Sequence, residues 1–394
     1  MSIEFYFGFL VIIAMIFCVL FMKIINSRLI KIELPIGNRA GCIDGARGYL
    51  ALMVAVHHYY IFYFWIKTGK WLPPEVQYIN SLGKVAVSAF FIITGYLFLG
   101  KILRDNRLHI KTQWSPLYLS RFLRITPLYL LSVLVTIILT FVLSEGVLYV
   151  SFFELFKEVS RWLLYVGYSI NGDADARRIT AGVTWTLKYE WVFYLTLPIL
   201  AILLKERTLA IISLIVGVGI SYFNINGFGF ESHYLIYFIF GGGIAFVQSL
   251  NNKKLSGMMS TSIWSVISIL SLVFVIFITP HYSVFLSDIL ILFFLMPIIF
   301  GNSLFGLLKL KSSIRLGEIS YSIYLMHGIV FFVIFIFLFD VNKMNGWVEF
   351  FIYMPFSLML VVFFSVYTYQ YIEKPFVDLS HIIRKKRINT NEII

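Results

Sequence analysis

Charge is what this sequence has least of. Of its 394 residues only 13% are Asp, Glu, Lys or Arg, against 60% hydrophobic and 18% aromatic. A mean hydropathy of +0.87 leaves too little polar surface to coat a soluble domain of this length. The composition is that of a polytopic helical membrane protein. Cysteine is nearly absent as well: Cys18 and Cys42 are the only two, in separate segments. Neither a disulfide framework nor a thiolate metal site is available, so no metal is expected. No low-complexity tract, internal repeat or separate soluble domain interrupts the apolar pattern. The first apolar run lacks a basic leader and a small-residue cleavage site, so it is expected to stay as a helix rather than leave as a signal peptide.

What is present is a series of apolar runs that can cross a bilayer whose hydrocarbon is about 30 Å thick. They fall at 3–22, 45–66, 82–103, 126–144, 184–204, 208–223, 233–250, 263–280, 284–301, 319–338 and 348–372. The expected fold is all-α, a bundle of about eleven transmembrane helices, because only closed backbone hydrogen bonding is tolerated in lipid. With the N-terminus outside, the inside segments hold 22 of the 32 Lys and Arg residues and the outside segments 7. That asymmetry puts the N-terminus outside and the C-terminus in the cytosol. The net charge of +12 is then mostly topology and needs no nucleic acid. Membrane lipids or a phosphorylated cytosolic ligand account for the rest.

The longest outside segment, about 145–183, opens amphipathically with Phe152, Phe153, Leu155 and Phe156 and ends in the polar Asn171-Gly-Asp-Ala-Asp-Ala-Arg-Arg178. A surface-lying helix followed by an exposed loop is expected there.

Against this apolar background the few intramembrane ionisable groups stand out, since charges at that depth are costly and mark sites or conduits. Arg47 and His58 are eleven apart in one run. At about 100° per residue they return to one helical stripe, roughly 16 Å apart along the axis. His57 points some 80° away from that stripe. An imidazole at this depth can take a hydroxyl proton and return it. Arg47 as an ordinary membrane flank and His58 as a packed core residue is the competing explanation on spacing alone. Glu190 lies about two turns inside the outer boundary beside Trp185 and Lys188, where an interfacial carboxylate is the ordinary explanation. Ser320, Tyr324 and His327 share a face by spacings of four and three, which also suits plain helix packing. Arg121 and Arg124, one turn apart with Pro127 beyond, suit phosphate recognition or simple flanking charge. Asp288 sits inside a span with no evident partner.

Six stretches together resemble the acyltransferase-3 family of integral membrane acyltransferases. They are Arg47-x10-His58; Phe90-Phe-Ile-Ile-Thr-Gly-Tyr-Leu97; Arg121-x2-Arg124 with Pro127; Trp185-Thr-Leu with Glu190 and Phe193-Tyr194; Ser320-Tyr-Ser-Ile-Tyr-Leu-Met-His327; and Tyr371-Ile-Glu-Lys-Pro-Phe376. All six occur in the family's order. Members often carry an acidic residue shortly before the Phe-Phe, where this chain has Val87-Ser88-Ala89.

The resemblance implies a membrane domain over 38–378, preceded by an extra helix and linker in 1–37 and followed by a basic cytosolic tail in 379–394. It also implies transfer of an acyl group, most often acetyl from acetyl-CoA, to a hydroxyl of a lipid-linked or surface glycan such as O-antigen or capsule. Acyl-CoA is the donor substrate, and no permanently bound cofactor is expected. His58 is expected to act as general base or acyl carrier, with Arg47 and Glu190 beside it and Arg121 and Arg124 holding acyl-CoA. Trp185, Ser320, Tyr324 and His327 are expected to line the site. The expected location is a bacterial inner membrane. A proton-coupled transporter or flippase of lipid-linked sugars is the alternative, weakened by the lack of repeated halves.

Overall fold

The computed structural model describes residues 3–34, 41–72, 77–223, 226–227, 230–250, 253–277, 284–344 and 346–391. Within these, helix covers every predicted apolar run; the predicted domain boundary at 37–38 lies outside the described residues. The first four long helices are α1 (Ile3–Arg28), α2 (Gly41–Thr68), α3 (Gln77–Arg107) and α4 (Trp114–Leu143). A surface helix α5 (Phe152–Leu163) and a single turn α6 (Ala176–Ile179) lead into α7 (Trp185–Leu203), α8 (Arg207–Tyr222) and α9 (Leu235–Ser249). The short α10 (Lys253–Met259) meets α11 (Ser262–Phe277), followed by α12 (Val284–Ile299) and the amphipathic α13 (Lys311–Glu318). The chain closes with α14 (Ser320–Val333), α15 (Trp347–Ile352), α16 (Met354–Thr368) and α17 (Lys374–Asn391). Among the described residues, one hairpin with two residues per strand, Asn226–Gly227 against Phe230–Glu231, is the only sheet in an otherwise helical architecture.

Seven of these helices are long and apolar enough to cross a membrane, or eight if α10 and α11, bent by 62°, form one broken span. The protein is thus a multi-pass membrane protein. Thr208–Tyr222 and Val284–Ile299 are apolar but shorter.

Helix α2 is the hub. It is buried almost continuously from Cys42 to Tyr63 and packs against α3, α13, α14 and α16. In lipid the hydrophobic effect no longer drives helices together, so close backbone approach through small residues takes over. A Cβ on Gly317 of α13 would collide with the Asp44 carbonyl of α2, and one on Gly48 with Leu316. The α3–α9 contact works the same way: side chains at Gly95 and Gly241 would strike the Phe238 and Ile92 carbonyls.

The outer segment differs from its expected form in one half. Helix α5 does lie on the surface, with Phe152, Phe153 and Phe156 largely exposed and Trp162 buried. The stretch after it is an exposed loop only in part: Gly172, Ala174 and Arg177 are exposed. Asn171, Ala176, Ile179 and Thr180 are buried. Thr180–Ala181 press so closely on α14 that only Gly328 fits beneath them. The segment can sink because its polar groups are satisfied locally. Asn171 accepts from the Tyr149 amide at 2.9 Å and donates to the Val147 carbonyl at 2.8 Å, and Glu158 accepts from Ser169 Oγ at 2.6 Å. As a result α7 starts beside Phe91 of α3, whose ring lies 6.5 Å from that of Trp185. That is about 20 Å along α3 from its first residue.

These packing contacts make a paired prediction. Gly241→Ala should destabilise the fold by about 1–3 kcal/mol, as overpacking does. Gly243→Ala, where an added Cβ has nothing within 4 Å, should leave it unchanged. Thermal midpoints of the detergent-solubilised variants check both; equal midpoints would remove the close-approach argument.

Candidate functional site

Four of the motif stretches meet around one narrow cavity of about 70 Å³. Helix α2 contributes Arg47, α3 Val87, Phe90 and Phe91, α7 Thr186, Leu187 and Glu190, and α14 Ser320, Tyr321 and Tyr324. The deep start of α7 is what brings Thr186 and Glu190 to this level. Tyr324 fastens the floor of the sunken segment, its hydroxyl 2.9 Å from Thr186 Oγ1 and donating to the Val183 carbonyl at 3.2 Å. Tyr321 donates to the Ile125 carbonyl at 2.7 Å, which ties α14 to α4. Ser320 is fully buried and its hydroxyl has no hydrogen-bond partner among the described residues. Glu190, half-buried, accepts from the Tyr194 hydroxyl at 2.8 Å and lies within electrostatic reach of Arg121, Arg47 and Arg124.

One turn beyond Tyr324 stands His327, wholly buried. Its Nε2 is 3.1 Å from Nδ1 of His58, with the two rings stacked at 5.0 Å. Each Nδ1 also faces a carbonyl of its own helix at 3.1 Å, Val54 for His58 and Ile323 for His327. Trp71 stacks on the half-buried His58 at 6.4 Å. The eleven-residue spacing therefore turns both Arg47 and His58 toward α14, the first to the cavity and the second to His327. His57 turns instead to α3, where its Nδ1 lies 3.0 Å from the Ile79 carbonyl over Gly83.

The arginine pair divides. Arg124 makes an ion pair of 3.2 Å with Glu373, whose carboxylate is fully buried and also accepts from Ser322 Oγ at 2.9 Å. Glu373 closes a π-helical turn, Tyr369–Glu373, between α16 and α17. Such a turn inserts an extra residue and rotates the side chains after it. Arg121 lies over the Phe98 ring at 5.3 Å and donates to Ser120 Oγ. It borders a separate hollow of about 320 Å³ whose walls include Lys101, Arg104, Lys111, His381 and Arg384.

Two expectations take a different form. Of the residues expected to line the site, Ser320 and Tyr324 line the cavity, whereas Trp185 packs in an aromatic cluster with Phe91, Tyr189 and Tyr234, and His327 lies off the wall beside His58, which does not line it either. Asp288 has partners: Tyr222 and Tyr237 donate to it at 3.0 and 2.7 Å, and His233 Nε2 lies 3.3 Å away. Tyr222, His233 and Tyr237 come from the neighbourhood of α8 and α9, far from Asp288 in sequence. Sequence reasoning also gave no role to Glu373, although the Tyr371–Phe376 motif contains it.

Comparison with known proteins supplies the class: this is a membrane-bound acyltransferase. The chain belongs to the acyltransferase-3 family, whose model, described as an acyltransferase domain, matches residues 41–366. That stretch takes in every cavity-lining residue and both stacked histidines. Over 325 residues the chain is 26% identical to "Putative acetyltransferase ORF330" of Acidianus two-tailed virus, covering 77% of this chain and 87% of that protein. No solved structure matches.

The Arg124–Glu373 pair is open to a double-mutant test. Removing one partner of a buried ion pair strands the other, at a cost of about 3–5 kcal/mol. Arg124→Leu and Glu373→Leu should each lower the melting point sharply, and the double variant should regain most of the loss. Additive losses would show that the two charges are not coupled.

Proposed function

We propose that this protein moves an acetyl group from cytosolic acetyl-CoA to a hydroxyl of a lipid-linked or surface glycan, across a bacterial inner membrane. In this reading all eleven apolar segments cross or enter the bilayer, with the N-terminus outside and the C-terminus in the cytosol. The observation that carries it is the cavity where Arg47, Glu190 and Ser320 meet, with the His58–His327 pair one turn beyond Tyr324 on α14 and a separate basic hollow at Arg121.

The polyanionic donor suits the basic hollow, where Lys101, Arg104, Arg121 and Arg384 complement its phosphates. Arg124, neutralised by Glu373, acts here as a brace, and Arg47 meets the donor within the cavity. The acceptor approaches from the outer side, past the partly buried 170–184 segment. His58 removes the proton from the acceptor hydroxyl as its oxygen attacks the thioester carbonyl carbon. The C–S bond then breaks, and His58 returns the proton to the departing CoA sulfur. Ser320 Oγ supplies a hydrogen bond along this path, and Glu190 holds the arginines in register. An acyl-histidine route would use the same nitrogen as nucleophile.

A carrier of lipid-linked sugars would need mobile intramembrane acids. The partners of Asp288 and Glu373 favour fixed roles for both.

Mass spectrometry of surface glycans from cells expressing wild type or His58→Ala tests the reading. An acetyl increment should accompany the wild type and fall by at least about 100-fold in the variant. Full acetylation by a correctly inserted His58→Ala protein would refute the assignment. A cytosolic reporter that is active on the C-terminus and inactive on the N-terminus would match the orientation; the reverse pattern would contradict it.

A further inference from the structure

The nitrogen-to-nitrogen contact between His58 and His327 has a direction, and neighbouring carbonyls reveal it. A carbonyl oxygen only accepts hydrogen bonds, and a neutral imidazole has one N–H and one lone pair. With the proton of each ring on Nδ1, His58 faces the Val54 carbonyl and His327 the Ile323 carbonyl as donors, both at 3.1 Å. His327 Nε2 is then bare and accepts from His58 Nδ1–H at 3.1 Å, a proton shared with Val54. The opposite arrangement, His327 Nε2–H donating to His58 Nδ1, would set two ring lone pairs against two carbonyl oxygens at 3.1 Å. Two acceptor–acceptor contacts in a buried place exclude it.

We propose that His327 is a positioning residue for His58: by accepting its Nδ1–H, it holds the ring in the tautomer that leaves Nε2 as the basic lone pair. Among the described residues no protein atom bonds that Nε2. His327 is wholly enclosed while His58 is half-buried, so the pair offers one nitrogen to a substrate and keeps the rest in the protein. The Trp71 ring stacked on His58 limits rotation of that histidine. The inference rests on the reading of His58 as the proton acceptor; it adds what makes the correct nitrogen available. Partners of this kind, which orient a functional histidine through its other nitrogen, typically matter by about 10–100-fold.

The test uses two replacements and two readouts on the purified full chain. His327→Gln keeps an acceptor oxygen near the place of Nε2, whereas His327→Leu keeps the bulk and removes the acceptor. Acetyl transfer by His327→Leu should drop by about 100-fold in kcat, while His327→Gln stays within about tenfold of wild type. With only 7 histidines in the chain, nitrogen-15 labelling of histidine can follow His58, assigned by its disappearance in His58→Gln. The shifts should report an Nδ1-protonated His58 in wild type and in His327→Gln, and a mixed or Nε2-protonated ring in His327→Leu. An Nε2-protonated His58 in wild type would overturn the proposal. So would equal losses in both variants, or full activity in His327→Leu. Because the shifts are read without turnover, an error about the reaction and an error about the tautomer give different results.

Discussion

An arginine and a glutamate enclosed by apolar helices have no water to fall back on. In this bundle Arg124 and Glu373 answer that constraint for each other, and much of the site hangs on the answer. Their pairing fastens α4 to the π-helical turn before α17, and Ser322 adds α14 to the same knot. Tyr321 reinforces the junction through the Ile125 carbonyl. The start of α14 is thereby fixed in rotation, which sets the direction of Ser320, Tyr324 and His327.

A second constraint comes from the other side. The segment after α5 buries part of its length in the bundle, satisfying its polar groups with Glu158, Asn171 and nearby carbonyls. Its course lets α7 begin beside Phe91 of α3, so that Glu190 and Arg47 line the same cavity. The cavity lies between a fixed α14 on one wall and this sunken segment on the other. Its narrowness, about 70 Å³, leaves room for a thin portion of a substrate and little water. Electrostatic contacts are stronger in such surroundings than at a wet surface.

Much of this was legible in the sequence, and the reasons for what was not are physical. Helix existence was plain because lipid admits few other backbones, and the spacing of Arg47 and His58 held because helical geometry is rigid over eleven residues. The common face of Ser320, Tyr324 and His327 followed from the same periodicity. Partners across the bundle were not legible. Arg124 and Glu373, His58 and His327, and Asp288 with Tyr222 and Tyr237 are all far apart along the chain, and single-helix periodicity says nothing about which helices adjoin. The buried positions within residues 170–184 were missed for a related reason. The segment's polar composition reads as exposed loop, and only the three-dimensional hydrogen bonding shows that those groups are already satisfied. Trp185 was placed one layer too far forward, since it supports the cavity wall from behind.

The central claim is that a donor bound at the basic hollow presents its acyl carbon to His58. A structure of the protein with a non-hydrolysable acetyl-CoA analogue tests it most directly. The account predicts phosphates among Arg121 and its basic neighbours, the pantetheine arm running through the Arg47–Glu190 cavity, and the acyl carbonyl within about 3.5 Å of where an acceptor oxygen held by His58 Nε2 would sit. An analogue bound elsewhere, or bound with its carbonyl turned away from His58, would contradict it.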